Sequence, residues 1–99
     1  SVVAAFLKTY LHELPIRTND VMDALTSGDM DRARSIAHMI KSTSEALGQT
    51  DLATISRQIE MLTAADSTSL AELEGDVRRA AAKAYLRLSA IRDDLVGRH

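Results

Sequence analysis

The chain has 99 residues, of which 45% are hydrophobic, with a formal net charge of −2 and no cysteine. This length provides for one modest core, so we expect a single domain over residues 1–99. The absence of cysteine excludes disulfides and thiolate chemistry, and the charge gives no reason to expect nucleic acid as a partner. No run of about 18 apolar residues is present, so we expect no direct membrane contact.

Apolar residues recur three and four positions apart along most of the chain, which is typical of amphipathic helices. The aromatic residues are few and the core must be mainly aliphatic, a composition that favours helix packing over sheets. The pattern predicts helices at roughly residues 2–13, 16–27, 30–47, 51–65 and 69–96. The four methionines are interpreted as core or near-core filler; they are Met22, Met30, Met39 and Met61.

The predicted helix boundaries depend on a few residues with special backbone preferences. Pro15 suits the first turn of the second helix, and Gly28 and Gly48 supply left-handed residues that end helices. Asp29 is a suitable N-cap for the third helix, and a capping box begins at Ser69. Because short loops between long helices make neighbours antiparallel, we predict an all-α fold. Its architecture is an antiparallel up-down four-helix bundle, with a short additional N-terminal helix capping one end.

His38 lies on the polar side of the third predicted helix. At about 100° per residue, His38 falls about 140° from the centre of the apolar stripe, and its neighbours on the same ridge are polar. The stripe consists of Ala33, Ala37, Ile40, Ser44 and Leu47. An exposed imidazole on a rigid helix is well suited to carry a covalent phosphoryl group.

Two residues are candidates to support such a ring. Glu60 follows the inward-facing Ile59, and its carboxylate can accept a hydrogen bond from Nδ1–H of His38. That contact would leave Nε2 unprotonated and facing water. Lys41, one helical turn after His38, can pair with a phosphoryl oxygen.

Other interpretations of His38 stay open at this point. A lone histidine on a helix surface is most often a solvated residue without a role. A metal site has little support, because His12, His38 and His99 lie on separate elements and no two share a helix face. No motif marks a nucleophile for a catalytic triad, and no glycine-rich loop marks an ATP site.

Around these residues the chain resembles the histidine-containing phosphotransfer (HPt) domains of bacterial two-component phosphorelays. In that family an Ala-His-x-Leu-Lys-Gly-type segment lies in mid-helix and a Leu-Gly pair ends the helix. The matching residues here are Ala37, His38, Lys41, Leu47 and Gly48. The matches extend over nearly the whole chain, since the pairs Leu14-Pro15, Gly28-Asp29 and Ile59-Glu60 also resemble family positions. The family usually has glycine where this chain has Ser42, which puts the rate of transfer and the choice of partner in doubt.

The resemblance implies a phosphorelay intermediate. His38 would accept a phosphoryl group on Nε2 from the aspartate of one receiver domain and pass it to the aspartate of another. Glu60 would orient the ring and Lys41 would balance charge. The expected docking rim consists of Arg34, Ser35, Ser42 and Glu45. The domain would bind no cofactor or metal of its own, and Mg²⁺ is expected on the partner receiver.

The same resemblance implies a module that is not itself an enzyme, although its parent chain could be a histidine kinase, a transferase. We expect a monomer in the cytoplasm whose partners are response-regulator receivers. It would be the C-terminal module of a hybrid sensor kinase, which itself could be membrane-bound. One alternative is a helical protein-interaction bundle that docks a receiver or another regulator without relaying phosphate. A histidine kinase dimerisation domain is disfavoured, because Met39 rather than an acidic residue follows His38 and residues 39–48 contain no proline.

Overall fold

Four helices make up nearly all of the chain that the computed structural model describes, which is residues 2–62 and 67–97, with residues 67–69 as backbone only. The helices are α1 (Val2–Ser27), α2 (Met30–Ala46), α3 (Thr50–Glu60) and α4 (Ser67–Val96). No strand occurs in these ranges, so the predicted all-α class is confirmed. None of the described helices combines the length and the apolar character needed to cross a membrane.

The helices form an antiparallel bundle in which each packs against two neighbours. Helices α1 and α3 each contact both α2 and α4. Tyr10, early in α1, shares a buried 2.9 Å hydrogen bond with Ser44, late in α2. Thr26, at the end of α1, donates to Glu74 in the first third of α4. These contacts, each between the start of one helix and the end of another, show that α1 runs antiparallel to both α2 and α4.

The core is aliphatic, as the composition predicts, and α2 contributes mainly small side chains to it. Ala33, Ala37 and Ser44 of α2 are fully buried. Small residues allow neighbouring helices to approach closely. Burial of this stripe leaves the opposite side of α2 in solvent, and the polar ridge that contains His38 lies on that side.

The predicted break between two N-terminal helices is wrong. Helix α1 is continuous from Val2 to Ser27 with Pro15 inside it, so no separate short helix over residues 2–13 caps the bundle. Proline cannot donate to the carbonyl of the residue four positions earlier, at a cost of about 3 kcal/mol. Packing offsets this cost, because buried side chains lie along the same face of the helix before and after the proline. These buried residues are Leu7, Leu11, Leu14, Thr18, Val21 and Leu25.

The two described inter-helix turns follow the prediction at their glycines. Gly28 and Gly48 have φ values of +78° and +71°, in the left-handed region that glycine tolerates. In each turn the next residue's N–H bonds back five positions, from Asp29 to Ala24 at 2.9 Å and from Gln49 to Ser44 at 2.8 Å. This pattern is the Schellman end of a helix. The Asp29 side chain also caps α2, as predicted, by accepting from the backbone N–H of Arg32.

Two helix ends differ from the prediction. Helix α3 ends at Glu60 rather than at residue 65, and residues 63–65 lie outside the described residues. Helix α4 begins at Ser67, two residues ahead of the predicted cap at Ser69. Bonds that reach back only three residues, from the N–H groups of Met61 and Leu62, close the last turn of α3, and Arg34 of α2 donates to the carbonyl of Leu62 just past it.

Replacement of Pro15 by alanine is expected to stabilise the fold. Alanine restores the missing N–H donor in α1, which stabilises the fold by about 3 kcal/mol. It also gives the unfolded chain more conformational freedom, which lowers stability by about 1 kcal/mol, so the net gain is about 2 kcal/mol. Urea denaturation measures the free energy of unfolding. Ile16→Ala, at an exposed neighbouring position, is the control and should change it by less than about 0.5 kcal/mol. A neutral or destabilising Pro15→Ala would show that α1 depends on the proline.

Candidate functional site

His38 stands on the outer face of α2 with 64% of its side chain exposed. The residue before it, Ala37, is fully buried. This contrast fixes the rotation of the helix and directs the imidazole away from the core. The outward position predicted from the helical period is therefore confirmed.

The Glu60 carboxylate joins His38 and Lys41. His38 Nδ1 lies 3.3 Å from Glu60 Oε2, and Lys41 Nζ lies 3.1 Å from Glu60 Oε1. Each carboxylate oxygen thus faces one nitrogen of α2. Glu60 and Lys41 are about three-quarters buried, with 23% and 22% of their side chains exposed. The pair is thus better shielded from solvent than an ordinary surface ion pair.

The surroundings of Glu60 determine which ring nitrogen carries the proton. Burial raises the pKa of Glu60, but the Lys41 ammonium beside Oε1 and the His38 ring beside Oε2 outweigh it and hold this pKa below its usual range. Glu60 is therefore ionised at neutral pH, and an ionised carboxylate only accepts hydrogen bonds. It follows that Nδ1 of His38 is the donor. In a neutral ring the Nε2 atom then keeps its lone pair.

The predicted rim residues have different surroundings. Ser35, Ser42 and Glu45 are exposed. The Ser42 hydroxyl donates to the carbonyl of His38 at 3.0 Å, so its proton is already used in a hydrogen bond to the backbone of α2. Arg34 does not point freely into solvent, since its guanidinium donates to the Leu62 carbonyl at 2.6 Å.

Two exposed methionines flank the site and were missed by the sequence interpretation. Met39, directly after His38, is 43% exposed, and Met61, directly after Glu60, is 73% exposed. The interpretation of both as core or near-core filler is wrong, whereas Met22 is buried and Met30 packs against the core, as expected. A signal was present for Met39, which lies off the apolar stripe of α2. None was present for Met61, because its exposure follows from the end of α3.

The described residues around His38 do not form a cluster of metal ligands. Within residues 2–62 and 67–97, no three histidine, aspartate or glutamate side chains are grouped as metal ligands would be. The only acid in contact with His38 there is Glu60. Its second oxygen faces the Lys41 ammonium, which is a cation already in place.

Glu60→Gln should make stability less sensitive to acid. Since the pKa of Glu60 is lowered in the folded state, its ionised form stabilises the fold above the unfolded-chain pKa, and this contribution is lost as the pH falls through the lowered folded-state pKa. The free energy of unfolding of the wild type should exceed that of Glu60→Gln, and the difference should be larger at about pH 7 than at about pH 3. Urea denaturation at both pH values measures the difference. Glu45→Gln, at an exposed position without an ion pair among the described residues, is the control, and a Glu60→Gln difference that is constant or larger in acid would contradict the prediction.

The comparisons with known proteins give one match. The family model of the Hpt domain matches residues 5–95, which is nearly the whole chain and includes every site residue discussed above. Neither the search of curated proteins nor the search of solved structures gives a match. Because the family model covers so much of the sequence, the chain belongs to the Hpt domain family.

Proposed function

We propose that His38 is the phosphoacceptor of a phosphorelay intermediate and that the phosphoryl group is carried on Nε2. Hpt domains serve histidine phosphotransfer in two-component phosphorelays and interact with response-regulator receiver domains. The observation that carries the proposal is the outward ring of His38, held at Nδ1 by an ionised Glu60. That contact leaves the solvent-facing nitrogen as the nucleophile.

In the proposed reaction, Nε2 attacks the phosphorus of a receiver's aspartyl phosphate. A P–N bond forms, the P–O bond to the aspartate breaks, and the carboxylate leaves with the electron pair. The ring keeps its proton on Nδ1 and gains positive charge, which the Glu60 carboxylate stabilises from 3.3 Å. Transfer onward reverses these steps, with a second receiver's aspartate as nucleophile. Phosphoryl transfer depends mainly on positioning and charge stabilisation, and a ring with one fixed tautomer provides the first of these.

Lys41 has two proposed tasks. In the unphosphorylated domain its ammonium lies 3.1 Å from Glu60, which keeps that carboxylate ionised and in place. Lys41 is also three residues after His38 on the same helix, within reach of groups attached to the ring. We assign it the additional task of balancing phosphoryl charge, because the side chain is long and its ammonium has three donors.

The proposed docking face is the exposed surface around His38. It combines small polar residues with two flexible apolar ones; its members are Ser35, Met39, Ser42, Glu45 and Met61. Methionine adapts its shape to a partner and adds apolar contact area. A small residue at position 42 keeps space open beside the ring. We further propose that the domain acts as a monomer in the cytoplasm, that its chain is part of a hybrid sensor kinase, and that Mg²⁺ is supplied by the receiver.

His38→Gln should abolish phosphorylation of the domain. Glutamine is similar in size and polarity but has no nucleophilic ring nitrogen. The measurement is the transfer of labelled phosphate from a panel of phosphorylated receivers, scored as acid-labile label on the domain. The matched control is His12→Gln, at an exposed position on α1, which should be labelled like the wild type. Equal labelling of wild type and His38→Gln would remove His38 from the mechanism.

Lys41→Gln should slow transfer without abolishing it. Loss of one charge-assisted hydrogen bond, worth at least about 1.5 kcal/mol, corresponds to a rate at least about tenfold lower. Single-turnover transfer from one phosphorylated receiver gives the rate, with Lys8→Gln, an exposed lysine on α1, as the control. An unchanged rate for Lys41→Gln would mean that its charge plays no part in transfer.

A further inference from the structure

Arg34 connects α2 to the end of α3 at the point where α3 delivers Glu60. Its Nη2 donates to the backbone carbonyl of Leu62 at 2.6 Å. Its other contact, with Asp31 at 3.3 Å, involves a fully solvent-exposed carboxylate and contributes little. The contact with α3 is therefore the significant one.

Helix α3 has reason to need such support. It is the shortest helix of the described chain, with 11 residues, and Glu60 is its last residue. The final turn is closed by bonds from the N–H of Met61 to the carbonyls of Arg57 and Gln58 and from the N–H of Leu62 to that of Ile59. Terminal turns of this kind fray, and cations at a helix C-terminus stabilise it. Arg34 supplies such a cation together with a direct bond to the next carbonyl.

The same ridge of α2 thus contacts the end of α3 at two places. Arg34 binds the carbonyl of Leu62, and His38, one turn later on α2, binds the side chain of Glu60. If the last turn of α3 loosened, the Glu60 carboxylate would move away from Nδ1 of His38. Arg34 is therefore placed where it can influence the position of the ring's hydrogen-bond acceptor.

We propose that Arg34 is a positioning residue for His38: it clamps the C-terminal end of α3 and so holds Glu60 against Nδ1 of the ring. This role differs from membership of a docking rim, because it operates in the free domain before any partner binds. The effect of Arg34 on phosphotransfer rests on the proposed function of His38. The effect of Arg34 on the tautomer of the ring does not depend on that function.

The test is the tautomer of the neutral His38 ring, measured by ¹⁵N NMR on the free, unphosphorylated domain. We expect the wild type to hold mainly the Nδ1–H form and Arg34→Ala to shift the population toward Nε2–H. Arg34→Lys keeps a cation near the end of α3 and should therefore keep most of the Nδ1–H population. Arg34→Met keeps the aliphatic stem without the donor, so it should reproduce the shift even if the alanine variant folds poorly. The matched control is Arg32→Ala, since Arg32 is on the same helix but faces Asp20 of α1.

A second measurement separates an effect through Glu60 from a direct one. Arg34→Ala should produce no further tautomer shift when Glu60 is already alanine, because the two residues act in one chain of contacts. Under the proposed function, Arg34→Ala should also slow transfer from a receiver by about 2- to 30-fold. An unchanged tautomer in Arg34→Ala and Arg34→Met, or an equal shift in Arg32→Ala, would overturn the inference. Failure of His38 to accept label would refute the proposed function and leave the tautomer result intact.

Discussion

The contact between the end of α3 and the middle of α2 is the constraint on which the candidate site depends. One carboxylate, Glu60, faces His38 with one oxygen and Lys41 with the other. Because the lysine helps to keep the pKa of Glu60 low, the carboxylate is ionised and can only accept. A helix-end acid thereby sets the proton position on a ring that is otherwise exposed to water. The solvent-facing nitrogen is left with the free lone pair.

Packing and chemistry are divided between the two faces of α2. The inward face consists of small and aliphatic residues, among them Ala33, Ala37 and Ile40, all buried. The outward face contributes little to burial, so it can carry the His38 imidazole and an open surface at small cost in stability. The buried polar contact between Ser44 of α2 and Tyr10 of α1 is satisfied within the pair. Burial raises the pKa of Tyr10 more than its hydrogen bond with Ser44 lowers it, so the tyrosine stays neutral.

The features that the sequence predicts well are those set by local periodicity. The helical period places His38 outward, and the left-handed glycines mark the ends of α1 and α2. Proximity of Glu60 to His38 is also predictable, since an antiparallel turn brings these stretches of α2 and α3 together. Local reasoning failed at Pro15, where the penalty of a proline was weighed without the continuous buried stripe that offsets it. The stripe itself is visible in the sequence, so the error was to give the proline penalty more weight than the burial of this stripe.

Contacts that depend on tertiary placement could not be derived in the same way. The bond from Arg34 to the Leu62 carbonyl depends on where α3 ends, and the apolar pattern placed that end at residue 65 rather than at Glu60. The exposure of Met61 follows from the same helix end, and methionine by itself gives no sign of facing inward or outward. The hydroxyl of Ser42 has several local acceptors within reach, and only the structure selects the carbonyl of His38. Each of these features lies beside the His38 ring, where sequence periodicity carries least information.

The most direct test of the account is the site of phosphorylation on the ring. A ¹⁵N-histidine-labelled domain is phosphorylated by a receiver, and the two ring nitrogens of His38 are assigned from their couplings to hydrogen and phosphorus. The account predicts the phosphoryl group on Nε2 and a proton on Nδ1 facing Glu60. A phosphoryl group on Nδ1, or a His38 ring that stays unmodified while the domain takes up phosphate elsewhere, would contradict it.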